Sequence, residues 1–409
     1  MNLYSRNSES ISIKSLFLTK DGLFALLMCL SFARPLLKFV TRPLVGHNPT
    51  LSFLMPYIDA LVLIPLVIIV FQQLIKKIEL RDIIYYLLCV CIVLVQYFIF
   101  PSNSDILDDF SGLFLLCVLP VYFLGLQIDL DKQDNYFRWT SIIAITLLTF
   151  YGFVYSPNVH GIMDEADEDM GLAYAVCPFT VFMVWQALKQ TRTWIDVIYA
   201  IGGTLVLIAL GTRGTIVCVF VFIVFYVIFL TKGKYKLIAG TALSVLGGFA
   251  YFYFDRILEL FLSILPKIGM STRIMTSMAE GAFISYENSS GRDVILSQLW
   301  DALQNNDYNA LGLCGSWAIS GGYAHNIYFD FIVSFGLIGG TIGFILLLLI
   351  LLWGFLSCKT DSEKGFYFVL FSIGFFKLFM SDFFLAELAL YWLIGYCVSR
   401  IRMNYSFKI

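Results

Sequence analysis

Ser289-Ser290-Gly291-Arg292-Asp293 opens, and Gly321-Gly322-Tyr323-Ala324-His325-Asn326 closes, the long polar stretch on which the reading of this chain turns. Directly after it the sequence becomes apolar and stays so past Gly336 and Gly339. Nearly everything else reads as membrane span or short connection. Composition agrees: the chain of 409 residues is 59% hydrophobic and 14% charged, with a mean hydropathy of +0.82. A soluble domain carries about 25% charge. Repeated apolar runs of roughly 18–20 residues match a hydrocarbon core about 30 Å thick.

The fold class read from this pattern is all-α, a polytopic integral membrane protein. Its about twelve transmembrane helices cover roughly 22–40, 57–75, 83–100, 111–127, 140–156, 171–188, 194–210, 214–231, 236–254, 326–357, 365–380 and 383–399. The tenth is too long for a straight crossing, and Gly336, Gly339 and Gly340 are expected to break it. No stretch is long enough for a separate soluble domain. Residues 1–409 therefore read as one membrane domain, with 255–325 as a loop insertion carrying short helices. The first apolar run has no convincing cleavage site and reads as an uncleaved helix. Nine cysteines without a C-x-x-C pair argue against a disulfide framework.

Lys and Arg set the orientation. With the N-terminus cytoplasmic, the inner segments hold eighteen of the 27 basic residues, from Arg6, Lys14 and Lys20 to Arg400, Arg402 and Lys408. The acidic loops around Asp105, Asp108, Asp109 and around Asp164–Asp169 fall outside. Both termini are then cytoplasmic, and residues 255–325 lie beyond the membrane. A net charge of −2 offers nothing to a nucleic acid. Within the loop, Val294, Ile295, Leu299, Ala302 and Leu303 share a helical face. Ser290 and Asp293 have capping-box spacing, so a helix is expected to start at Gly291–Arg292.

Four features could carry chemistry. Arg292 stands at the positive end of that helix, where a bound anion would offset an otherwise unfavourable charge; taken alone, an ordinary solvated surface arginine is the plainer reading. Arg213 interrupts a long apolar stretch within Leu210-Gly211-Thr212-Arg213-Gly214-Thr215. At membrane depth an arginine needs water, a partner or a ligand, although one at headgroup level can snorkel. His325 is one of three histidines, and imidazole accepts a proton near neutral pH. Packing at the interface would also explain it. The cluster Asp164, Glu165, Asp167, Glu168, Asp169 has oxygen ligands a divalent metal prefers, or is simply an acidic outer loop, with His160 just upstream.

Together, Gly-Thr-Arg213-Gly, Ser-Gly-Arg292 and His325-Asn326 make the chain resemble the bacterial O-antigen polymerase and O-antigen ligase superfamily. The most specific element is a His followed by Asn, Ser or Gln, then nine residues, then Gly-x-x-Gly. Here Ile327–Phe335 separate His325-Asn326 from Gly336-Leu337-Ile338-Gly339. The resemblance runs from about Tyr155 to the end; the first four spans match by number only.

The resemblance implies a periplasm-facing glycosyltransferase of the multi-span GT-C class in the bacterial inner membrane. Its donor would be an oligosaccharide on undecaprenyl pyrophosphate. Its acceptor would be a hydroxyl of another lipid-linked repeat unit (polymerase) or of the lipid A core (ligase). Arg213 and Arg292 would bind the pyrophosphate and His325 would be the base. Tyr323, Asn326 and Tyr328, and more remotely His160, would support it. Membrane lipid and a chain-length regulator protein would be its partners. Two guanidiniums can hold a diphosphate through forked donors, so no metal and no cofactor is expected. The polymerase is the reading carried forward. A lipid-linked sugar flippase is the rival of another class; against it stand the lack of a clear internal repeat and a loop of about seventy residues a flippase does not evidently need. A structural membrane scaffold would leave Arg213 and the His325 motif unexplained.

Overall fold

The computed structural model describes residues 19–32, 78–150, 165–210, 212–238 and 292–406, with a few isolated positions besides. It is all-helical, with thirteen α-helices among the described residues. The expected spans 57–75 and 236–254 lie wholly or largely outside those residues, as do 33–40 of the first and most of the loop 255–325 before Arg292. Among the described residues, four stretches are long and apolar enough to cross a membrane: Leu80–Ile99, Pro101–Gln127, Gly171–Leu188 and Ile327–Ser357. The apolar helices Trp194–Ala209 and Gly214–Phe229 are shorter.

The chain divides into two compact units, 1–76 with 128–203, and 77–127 with 204–409. The first contains α1 (Lys20–Phe32), α5 (Leu130–Phe150), α6 (Glu165–Leu188) and the greater part of α7 (Trp194–Ala209). Helix α5 packs against both α1 and α6. Phe24, Met28, Leu148 and Trp185 are buried in that layer. Helix α5 starts about ten residues before the span read at 140–156, because its first turns are polar and paired. There Asp134 takes Lys189 at 2.7 Å, and Arg138 pairs with Asp196.

The second unit holds α2 (Leu80–Ile99), α3 (Ser104–Leu113), α4 (Val121–Gln127), α8 (Arg213–Phe229), α9 (Arg292–Asn305), α10 (Gly315–Ser320), α11 (Ile327–Ser357), α12 (Asp361–Leu370) and α13 (Leu388–Ser406). A π-helical turn, Phe114–Val118, joins α3 towards α4, and another, Phe371–Phe375, extends α12. Asp105, Asp108 and Asp109, read as an outer loop, lie on α3. Helices α4 and α13 cross with their backbones touching: a Cβ on Gly395 would come within 2.1 Å of the Tyr122 carbonyl. Small residues permit such approach where apolar solvent gives helices no other reason to associate. One end of the pair is tied by charge. Arg402 forks onto Asp82 with bonds of 2.8 and 2.5 Å, and the Tyr122 hydroxyl donates to the same carboxylate at 2.6 Å. On α2 and the far part of α11, large side chains such as Leu87, Phe98, Ile338 and Leu352 face outward, as lipid-facing positions do.

Candidate functional site

Helix α9 begins at Arg292, where the capping pattern put it. Its apolar face carries Leu299 and Leu303, both fully buried against Ala324, Ile332 and Val333, with Ile295 and Leu296 alongside. The cluster seats α9 on the start of α11 and on the turn holding His325.

Gly336 is why α11 can be approached this closely. It has φ 78 and ψ 166 inside the helix and breaks it in two. The chain at 308–311 crosses at that break. The Leu337 N–H donates to the Tyr308 carbonyl at 3.0 Å, and the Leu311 N–H donates to the Val333 carbonyl at 2.9 Å. A Cβ at Gly336 would meet the Ala310 nitrogen at 2.9 Å, whereas Gly339 has room for one. From the other side, the Asn103 amide donates to the Leu311 and Leu313 carbonyls, and Gln96 accepts from the Leu313 N–H at 2.9 Å. The segment 306–325 is thus laced to three helices, although it contains only the short α10.

His325 ends that segment with φ +53, a left-handed conformation uncommon for a residue with a side chain. The Tyr323 ring lies against the imidazole with centroids 4.1 Å apart, and Trp317 lies 5.9 Å beyond Tyr323. The Tyr323 hydroxyl reaches Ser381 at 3.3 Å. That contact brings in the turn after α12, where Asp382 has φ +79. Lys377 bridges Asp382 at 2.7 Å and Glu387 at 2.5 Å. Glu387 also accepts from the Ala389 N–H at 2.9 Å at the start of α13.

The imidazole is pushed down to about 4, first by burial and then by the positive charge of Arg292, with Asp382 opposing. It is therefore neutral near pH 7. Among the described residues, Nδ1 of His325 and Nε of Arg292 are buried without a hydrogen-bond partner. Buried polar groups are normally satisfied, so the Arg292 cation and the neutral His325 imidazole each keep hydrogen-bonding capacity that the described side chains do not use.

The other candidates sort by contact. Asn326 caps α11: its side-chain oxygen accepts from the N–H groups of Tyr328 at 3.0 Å and Phe329 at 3.3 Å. The Tyr328 hydroxyl reaches Thr341 across the Gly336 break at 3.2 Å. Both are engaged in building the turn. Arg213 is the first residue of α8, and its side chain lies outside the described residues. His160 and Asp164 lie outside them too, and Glu165–Asp169 are described only as helical backbone. No group of three His, Cys, Asp or Glu able to hold a metal occurs among the described residues.

Four charged residues here lie outside the motifs of the sequence: Asp330, Lys377, Asp382 and Glu387. Each interrupts an apolar run, and an ionisable group inside such a run is a functional candidate by default.

Comparison of the chain with protein-family models, curated proteins and solved structures returns no match.

Proposed function

We propose that this chain is a multi-pass membrane glycosyltransferase that polymerises a surface polysaccharide, such as O-antigen, from undecaprenyl-pyrophosphate-linked repeat units. In this reading it crosses the inner membrane about twelve times, with both termini cytoplasmic and the loop 255–325 on the periplasmic side. The observation that carries the reading is the convergence of Arg292 and His325, each with a buried nitrogen lacking a partner. They are a fixed cation and a neutral imidazole set at the mouth of an apolar helix.

In the proposed step an acceptor sugar hydroxyl attacks the anomeric carbon of the donor glycan. The bond from that carbon to the phosphate oxygen breaks, and the electron pair leaves with the lipid pyrophosphate. The hydroxyl proton passes to His325. Charge grows on the diphosphate, and Arg292, with Arg213 from the start of α8, stabilises it through forked donors. Attack opposite the leaving group inverts the anomeric centre. Base assistance of this kind contributes about 10²–10⁴-fold. The aromatic wall of Tyr323 and Trp317 offers flat apolar faces to a sugar ring.

The test is purified protein given lipid-linked repeat units alone, then with lipid A core added. Longer lipid-linked glycans in the first mixture support the polymerase. Product only in the second assigns a ligase that uses the same residues. Transbilayer movement without a new covalent bond assigns a flippase. His325→Ala is expected to abolish long chains while the protein still reaches the membrane; a normal ladder of chain lengths would remove the imidazole from the mechanism.

A further inference from the structure

We propose that Asp330 is a positioning residue for His325: its carboxylate, sealed beneath the 323–326 turn, sets the angle at which the imidazole is presented. The geometry rests on hydrogen bonds and burial; the consequence for rate rests on the transfer reading above.

Asp330 is 1% exposed and lies near the start of α11. Its Oδ1 accepts from the Ala324 N–H and from the Ser316 hydroxyl, both at 3.3 Å. Ala324, itself fully buried, is the residue immediately before His325. One oxygen thereby ties α10 and the peptide entering His325 to the first half of α11.

The tie matters because of the backbone it holds. A left-handed residue with a side chain persists only where its surroundings over-determine it. Two restraints flank His325: Asn326 capping α11 on one side, and Asp330 gripping Ala324 on the other. Tyr323 and Ser381 fix the ring laterally. Remove the Asp330 acceptor and the Ala324 N–H loses its partner, so the peptide can rotate and swing the ring.

The residue type supports the same reading. A carboxylate at the head of a membrane-crossing helix is costly where leucine would bury freely. Among the described residues Asp330 makes no ion pair that would explain it as a structural bridge. Its Oδ2 is buried without a partner among the described residues. Incomplete satisfaction of this sort calls for a specific reason.

The experiment uses the full-length protein and compares Asp330→Leu, which removes the acceptor, with Asp330→Asn, which keeps Oδ1. The first readout is carbethoxylation of His325 by diethyl pyrocarbonate, located by mass spectrometry and normalised to His47 and His160 in the same chain. The second is kcat and KM on lipid-linked repeat units. Asp330→Leu is expected to change His325 modification several-fold. It should also lower kcat on the order of 10²-fold, as a displacement of about 1 Å can, with donor KM little altered. Asp330→Asn should restore both.

If Asp330→Leu yields no folded protein, Ser316→Ala removes one donor and should shift His325 modification the same way, by less. His325 modification equal to wild type in Asp330→Leu, or in Ser316→Ala where Asp330→Leu does not fold, overturns the inference, as does Asp330→Asn as defective as Asp330→Leu. Should wild type make no glycan while His325 reactivity still depends on Asp330, the positioning role stands and the transfer reading falls.

Discussion

At the scale of the residue, His325 shows how little of a side chain's chemistry its type reveals. The sequence places an imidazole at the end of a polar loop, which suggests a group titrating near neutrality. The structure places it half-buried beside Arg292, and burial followed by that charge pushes it down to about 4. Arg292→Gln removes the positive neighbour and should therefore raise the value, towards but not beyond the unperturbed 6.5 or so; nuclear magnetic resonance titration of the His325 ring reads it. No upward movement would mean that the two side chains do not share a site. The same depression couples to stability. Between about 4 and about 6.5 the unfolded chain binds more protons than the folded one. Stability therefore rises with pH across that window and is lost as pH falls towards 4. An anion seated between the two groups would partly cancel the Arg292 charge, so on the proposed reading the imidazole would gain basicity when a diphosphate binds.

The elements were legible where their boundaries are chemical, and illegible where pairing decides them. Gly291-Arg292 marked a helix start by cap spacing, and α9 begins there. The break in α11 was legible in its glycines, but which glycine breaks it was not, because the cause is the chain at 308–311 crossing from elsewhere. This gives a paired expectation. Gly336→Ala combines a backbone angle that only glycine favours with a 2.9 Å collision, and should cost at least about 1–3 kcal/mol. Gly339→Ala meets nothing closer than 3.6 Å and should be near neutral. Thermal unfolding in detergent measures both; equal effects would refute the assignment of the break. The early start of α5 was hidden for a similar reason. Its first turns carry Asp131, Lys132, Asp134 and Arg138, a composition that resembles loop until Lys189 and Asp196 are seen to pair with it.

At the scale of the molecule, apolar periodicity was enough for an all-helical chain with several helices able to cross a membrane. It did not reveal the charges that hold those helices together. Asp82, 1% exposed, is claimed by Arg402, 320 residues away in sequence, and by Tyr122, 40 residues away. Asp82→Ala removes the main partner of the partly buried Arg402 guanidinium, leaving Glu79 at 3.7 Å, and should destabilise by about 1–3 kcal/mol. Adding Arg402→Met should recover much of it, and unfolding of the single and double variants is the check. The orientation has its own test. A cysteine at exposed Asn306 should react with a membrane-impermeant maleimide in intact spheroplasts. One at exposed Asp361 should react only after permeabilisation, each compared with the parent chain. Labelling of both from one side would discard the topology.

The crossing at Gly336 turns the interval between that glycine and His325 into a ruler. Each helical residue advances the chain by about 100°, so one residue inserted among Ile327–Phe335 would spin the imidazole away from α9 while leaving every side chain of the motif in place. Spacing here should tolerate change far less than identity. An inserted alanine ought to silence the protein more completely than most substitutions in the same nine positions.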